Sequence, residues 1–141
     1  DIGDAVHIVG PVANSKTREF YQRGAVFALS SYQEGLGIVG LEAMSCGLPV
    51  VASKCGGPED YILEGINGYL VPINDHNTMA ERIITLLEDA KLRKNMGANA
   101  REHILKHYSM SVVCSIFRQA LEEAWPEFFK EGQRCAVSVA N

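Results

Sequence analysis

Two glutamates eight positions apart, Glu34 and Glu42, bracket the run EGLGIVGLE and are the residues of this chain best suited to chemistry. A carboxylate accepts hydrogen bonds through two oxygens, so vicinal sugar hydroxyls are natural partners for it. Between the two glutamates, Gly35 and Gly37 clear side chains from the approach of a ligand, with Leu36 between them. A helical pattern begins near Gly37. The N–H groups of Gly37, Ile38 and Val39 then lack intrahelical acceptors and, with the helix dipole behind them, form an anion site. Two carboxylates would repel a phosphate unless they serve hydroxyls instead. At ~1.5 Å of rise per residue Glu42 stands about 6 Å farther along the axis, its side chain leaning back toward the helix start. The combination reads as a phosphate-and-sugar site, one glutamate for a ribose and the other for a hexose. The plainer reading, two solvated carboxylates, is what an arbitrary pair of glutamates would warrant.

A rival motif lies on the same residues. Gly35, Gly37 and Gly40 spell G-x-G-x-x-G, the dinucleotide-binding fingerprint of nicotinamide dehydrogenases. Three features oppose it. Ser30-Ser31-Tyr32-Gln33-Glu34 separate the preceding strand from the first glycine; another strand and helix come before; and the following strand ends in Ser53-Lys54 without an acidic residue for a ribose.

The elements that would hold this turn follow from the apolar pattern. Residues 5–9, AVHIV, read as a buried strand stopped by Gly10-Pro11, and residues 16–23 as a short helix capped by Asn14 or Ser15, with Phe20 and Tyr21 inward and Gly24 as its stop. Residues 25–29, AVFAL, read as a second strand covered on both faces. A helix over residues 37–46 places Ile38, Leu41 and Met44 on its apolar side, and residues 48–53 give a third strand. Short β-α-β connections imply right-handed crossovers in a parallel sheet, hence an α/β fold.

Beyond it, Pro58 can open a one-turn helix with Glu59 and Asp60 at its positive end. Gly65-Ile66-Asn67-Gly68 is a turn, and residues 69–71 a short strand. Helices follow from Asp75 (Met79, Ile83, Leu86 and Leu87 inward), over residues 91–106 (Leu92, Met96, Ala100, Ile104 and Leu105), and from Ser109 or Ser111 to Trp125, with Pro126 as a break. Residues 1–125 form the domain; residues 126–141 are a helix end and, from Arg134, a loose tail.

Composition excludes some classes. The net charge of -4 lacks the basic excess of a nucleic-acid platform. No apolar run nears the ~18 residues of a membrane span, and the first ten residues do not resemble a signal peptide, so a cytoplasmic protein is expected. Cys46, Cys55, Cys114 and Cys135 show no C-x-x-C spacing and read as packed, reduced thiols. His103 and His107 lie four apart on a helix without a third ligand nearby, and His7 reads as packed in a strand, so no metal is expected. Trp125, Phe128 and Phe129 with Lys130 form an apolar group suited to a docking surface, or to peripheral contact with a membrane.

The ordered segments VHIVGPV, YQRGAVFALSS, EGLGIVGLEAMSCGLPVVAS, CGGPEDYI, INGYLV and MGANAREHILKHYSM resemble the C-terminal, donor-binding domain of the family-4 glycosyltransferases, retaining enzymes of the GT-B fold. The resemblance covers about residues 5 to 125, and the two glutamates followed by AMSCGLPVVAS are its specific signature. It implies that Glu42 holds the nucleotide ribose, Glu34 faces the donor sugar, and the amides near Gly37, Ile38 and Val39 take the diphosphate. Gly10 and Val12 would lie beside the nucleobase and Gly56 and Gly57 would border the pocket. It further implies transfer from a UDP- or GDP-type sugar, in polysaccharide or glycolipid synthesis, through an oxocarbenium-like transition state without a metal.

A complete two-domain enzyme of this kind is longer. The resemblance therefore implies a Rossmann-like, N-terminally truncated donor domain: the N-terminal acceptor domain, the first strands and helices of the C-terminal domain and, with them, an Arg/Lys pair gripping the diphosphate lie outside these 141 residues. Lys16, Arg18 and Lys54 are poorly placed to replace that pair. The chain by itself is expected to bind nucleotide weakly, to transfer no sugar, and to expose a sheet edge open to self-association. A non-catalytic nucleotide-sugar or partner-binding module is the alternative; it would keep Glu42 and have no use for Glu34.

Overall fold

The computed structural model describes residues 2–130. After a 3-10 turn at Gly3–Ala5 come α1 (Asn14–Arg23), β1 (Phe27–Leu29), α2 (Ile38–Ser45), β2 (Val50–Ser53), α3 (Pro58–Tyr61), β3 (Gly68–Val71), α4 (His76–Glu88), α5 (Ala90–His107), α6 (Met110–Ala124) and α7 (Pro126–Lys130). The strands pair in parallel in the order β1-β2-β3, Phe27 opposite Val50 and Val50 opposite Gly68. This is the α/β architecture expected from the short crossovers.

β2 is buried at every position, as befits the one strand with neighbours on both edges. Strand alternation sends Val51 to one face, where it packs with Tyr69 and Val71 of β3, Leu86 of α4 and Met96 of α5. Met79, Ile83 and Leu92 close that cluster from the side. Val50 and Ala52 point the other way, and α2 lies against β1 and β2. Arg93 of α5 donates to the carbonyls of Leu86 and Leu87 at 2.7 and 2.9 Å, capping the end of α4, and Arg101 donates to the Ser45 carbonyl at the end of α2. α4 begins where its pattern does, and Asp75 caps it: its carboxylate accepts from the Thr78 N–H at 3.0 Å and from its hydroxyl at 2.7 Å.

Several expectations are corrected. Residues 5–9 form no strand; Val6, Ile8 and Val9 are exposed, Ile8 at 93%. A strand is stable only on a ladder, and this apolar run has no paired neighbour among the described residues. β1 is shorter than expected and lies at the sheet edge with Ala28 exposed, so it is not covered on both faces. α1 starts at Asn14, so Asn14 and Ser15 are inside the helix, and Ala13 at the cap makes no side-chain bond. Phe20 is exposed, whereas Tyr21 is half-buried. In α2 the buried stripe is Gly40, Ala43 and Met44, and Ile38 at the first turn is 62% exposed. Leu87 and Leu105 are also exposed, each turned off its helix's buried stripe.

The chain divides into two compact units, Asp1–Leu105 and a second beginning at Lys106. The first holds the sheet. In the second, α6 ends at Ala124 with Trp125 as its cap residue, and Pro126 opens α7, where the Phe128 and Phe129 rings meet edge to face at 5.5 Å. The tail from Arg134 falls outside the described residues. Among the described residues no helix is long and apolar enough to cross a membrane.

Candidate active site

The turn between β1 and α2 is fixed from two sides. Its backbone bridges to the loop after β2: the Glu34 N–H donates to the Cys55 carbonyl at 2.9 Å, and the Gly57 N–H to the Glu34 carbonyl at 3.0 Å. The contact is so close that a Cβ on Gly56 would stand 2.7 Å from the Glu34 carbonyl oxygen, and one on Gly57 2.3 Å from the backbone of Leu36. Gly56 and Gly57 thus hold the turn in place, a packing duty beyond the pocket-border role expected for them. The Gly56 N–H is satisfied by the Glu59 carboxylate at 2.9 Å, which ties the start of α3 to the same loop.

From below, Tyr61 of α3 supports the start of α2. It is wholly buried, and its hydroxyl donates to the Gly37 carbonyl at 3.1 Å. Gly37 caps α2 in the left-handed region with φ 72°, and a Cβ on Gly40 would lie 2.2 Å from the Tyr61 hydroxyl. Asn67, also wholly buried, holds the tyrosine's own backbone: it donates to the Tyr61 carbonyl at 3.0 Å and accepts from the Leu63 N–H at 2.7 Å. Two glycines of the G-x-G-x-x-G pattern are therefore seats for a tyrosine. Only Gly35 has open space where a side chain would be.

Both glutamates are half-buried, and each has one oxygen engaged. Ser31 donates to Glu34 Oε1 at 2.7 Å. Tyr21, reaching across from α1, donates to Glu42 Oε2 at 2.9 Å. The second oxygen of each has no hydrogen bond among the described residues, and no side chain caps α2. The arrangement leaves free N–H donors of the first helical turn between two acceptor carboxylates, as required for a phosphate flanked by hydroxyls. Burial, the hydrogen bond to Glu42 and the nearby charges of Glu42 and Cys46 push the Tyr21 phenol up to about 12, so it remains a donor at neutral pH. Burial, with the carboxylates of Glu59 and Glu34 nearby, also raises the Cys55 thiol.

Leu36, Ile38 and Val39 are exposed around the turn. Gly10 has open space around it and a φ of 73°, and Val12 is half-buried in the irregular segment before α1. A separate cavity of about 210 Å³ opens at the strand ends, between Ser30 and Tyr32 after β1, Ser53, Pro72 and the start of α4 at Asp75 and His76. Neither glutamate lines it. Among the described residues no group of three or more His, Cys, Asp or Glu is arranged to hold a metal. Tyr21, Ser31, Tyr61 and Asn67 are the site residues that sequence reasoning missed. Tyr21 left one signal, because a buried phenol on an inward helix face needs a partner for its hydroxyl.

Residues 1–103 match the family model described as glycosyl transferases group 1. The chain belongs to that family. Its α/β fold is the C-terminal half of the GT-B glycosyltransferase architecture. It is 34% identical over 114 residues to N-acetyl-alpha-D-glucosaminyl L-malate synthase of Bacillus anthracis, covering 81% of this chain and 29% of that protein. Sucrose-phosphate synthase of Thermosynechococcus elongatus superposes with a TM-score of 0.82 at 30% identity over 89% of this chain and 31% of its own. Anabaena HepE in complex with UDP and glucose gives 0.79 at 26% identity, over 86% and 33%. The chain spans about a third of the length of the curated relatives it matches. A group 1 glycosyltransferase has no place for the nicotinamide reading, whose glycine fingerprint is spent here on Tyr61.

Proposed function

We propose that this chain is the donor-binding half of an enzyme that transfers a sugar from a nucleoside diphosphate sugar with retention at the anomeric carbon. The observation that carries the reading is the start of α2, without a side-chain cap and set between two half-buried carboxylates that, among the described residues, each keep one oxygen without a hydrogen bond. In this reading Glu42 accepts from the ribose hydroxyls and Glu34 from the donor sugar. The N–H groups of Gly37, Ile38 and Val39 take the diphosphate, with Gly35 and Leu36 leaving its approach open, while Gly10 and Val12 lie beside the base. The HepE complex with UDP and glucose supports a nucleotide and a sugar on this fold.

The leaving group gains negative charge as the glycosidic bond breaks, and N–H donors fixed before the reaction stabilise it without reorganising. Tyr61 and the bridge to residues 55–57 supply that fixity. The remaining diphosphate charge is assigned to an upstream Arg/Lys pair of the same donor-binding domain, outside these residues, without a metal. The chain alone is then a weak nucleotide binder that transfers nothing, and the outer edge of β1, unpaired among the described residues, is open to a second copy.

The test uses the longer protein that carries this domain. Glu34→Ala should lower kcat by about a hundredfold, the scale of losing one preorganised transition-state contact, and EDTA should leave turnover intact. Unchanged turnover in Glu34→Ala would remove Glu34 from the chemistry, nucleotide binding without turnover by the longer protein would favour a binding module, and rapid transfer by the 141-residue chain alone would refute the division of labour.

A further inference from the structure

The oxygens of Glu42 are not equivalent. One is taken by a residue from a different helix, 21 positions earlier, through a hydrogen bond of 2.9 Å. That residue, Tyr21, is held from behind by the Phe27 ring of β1, edge to face at 5.6 Å with the planes at 68°. Its backbone is pinned as well, because the Gly24 N–H donates to both the Phe20 and Tyr21 carbonyls at the end of α1. On the other side, the Ser45 hydroxyl donates to the Glu42 carbonyl at 2.7 Å. A phenol locked by a ring and a helix end is thus aimed at one carboxylate oxygen.

We propose that Tyr21 is a positioning residue for ribose recognition: by occupying Oε2 of Glu42 it fixes the carboxylate so that Oε1 meets the ribose hydroxyls of a nucleoside diphosphate. This rests on the reading of Glu42 as the ribose carboxylate. A glutamate on a helix surface otherwise spreads over several rotamers, and restricting them before binding removes an entropic cost at the moment of binding. The choice of a phenol has a chemical reason. A lysine or arginine would neutralise the carboxylate, whereas a neutral donor leaves its charge available to accept from hydroxyls.

The experiment compares titrations of the 141-residue chain with UDP, GDP and ADP and with their 2′-deoxy counterparts, for the native chain, Tyr21→Phe and Glu42→Ala. Tyr21→Phe keeps the ring against Phe27 and removes only the hydroxyl. Expected are a loss of about 3- to 10-fold in affinity for the ribonucleotide that binds best, a smaller loss for its 2′-deoxy counterpart, which keeps only the 3′-hydroxyl, and so a smaller ribose preference. A tyrosine that merely anchored α1 would weaken both nucleotides alike or neither, and that result overturns the inference while leaving Glu42 in its role. If Glu42→Ala keeps the full ribose preference, or the native chain shows none or binds none of the three, the ribose reading falls and the role of Tyr21 with it. Urea melts check folding. Should Tyr21→Phe prove unfolded, Phe27→Leu replaces it, loosening the ring behind Tyr21, and is expected to lower the ribose preference in the same direction.

Discussion

At the scale of the residue, the Tyr21–Glu42 pair makes a prediction that needs no ligand. The folded chain holds the phenol near 12 against an ordinary 10, so the neutral form is favoured by folding. That stability is complete below about pH 10 and is lost as the pH rises through 12, because the unfolded chain releases the proton first. In a tyrosinate absorbance titration, Glu42→Gln should move the late step of Tyr21 back toward 10. Thiol chemistry gives a second prediction at this scale. Cys55 is 6% exposed and its thiol is raised, while Cys114 is exposed, so a thiol reagent at neutral pH should modify Cys114 first and Cys55 only on unfolding. The two glutamates were legible in the sequence because their eight-residue spacing straddles one helix start. Tyr21 was not, because a contact between residues 21 and 42 has no local period to reveal it.

At the scale of the element, the start of α2 depends on Tyr61 lying flat under two glycines. Gly40→Ala should cost about 1–3 kcal/mol by overpacking, read from a urea melt, since its Cβ would stand 2.2 Å from the tyrosine hydroxyl. Adding Tyr61→Phe should recover part of that loss despite forfeiting the bond to Gly37; an additive double mutant would show that Gly40 is limited by something else. The cap of α4 behaves differently with pH. Hydrogen bonds from Thr78 lower the Asp75 carboxyl below its ordinary 3.8, so its contribution is present above that value and is lost below it, as the pH falls through the lowered value of the folded chain. Asp75→Asn keeps a capping oxygen and should flatten this part of the acid-unfolding curve. The start of α4 at Asp75 was readable from its apolar period, whereas the capping role of Asp75 came only with the structure. The apolar run at residues 5–9 misled, because β-branched composition marks a strand only when a partner is there to pair with it. The glycine pattern misled for a related reason: sequence shows that side chains are absent, not whether a ligand or a tyrosine fills the space.

At the scale of the whole molecule, the chain supplies a sheet, a turn fixed from two sides and two carboxylates within the residues that match the group 1 glycosyltransferases. Everything local to the turn is present in the first compact unit. The diphosphate, however, carries more charge than one helix start offsets, so binding by this chain alone should weaken steeply with salt wherever Lys16, Arg18 or Lys54 contributes. The claim most open to direct test is that nucleotide binds at the turn itself. Amide NMR of the 141-residue chain titrated with UDP, GDP and ADP addresses it residue by residue. The account predicts that one of the three shifts the resonances of Gly35, Leu36, Gly37, Ile38, Val39 and Glu42, and that Glu42→Ala suppresses those shifts. Shifts confined to Ser53, Asp75 and His76 around the strand-end cavity, or none with any nucleotide, would contradict it.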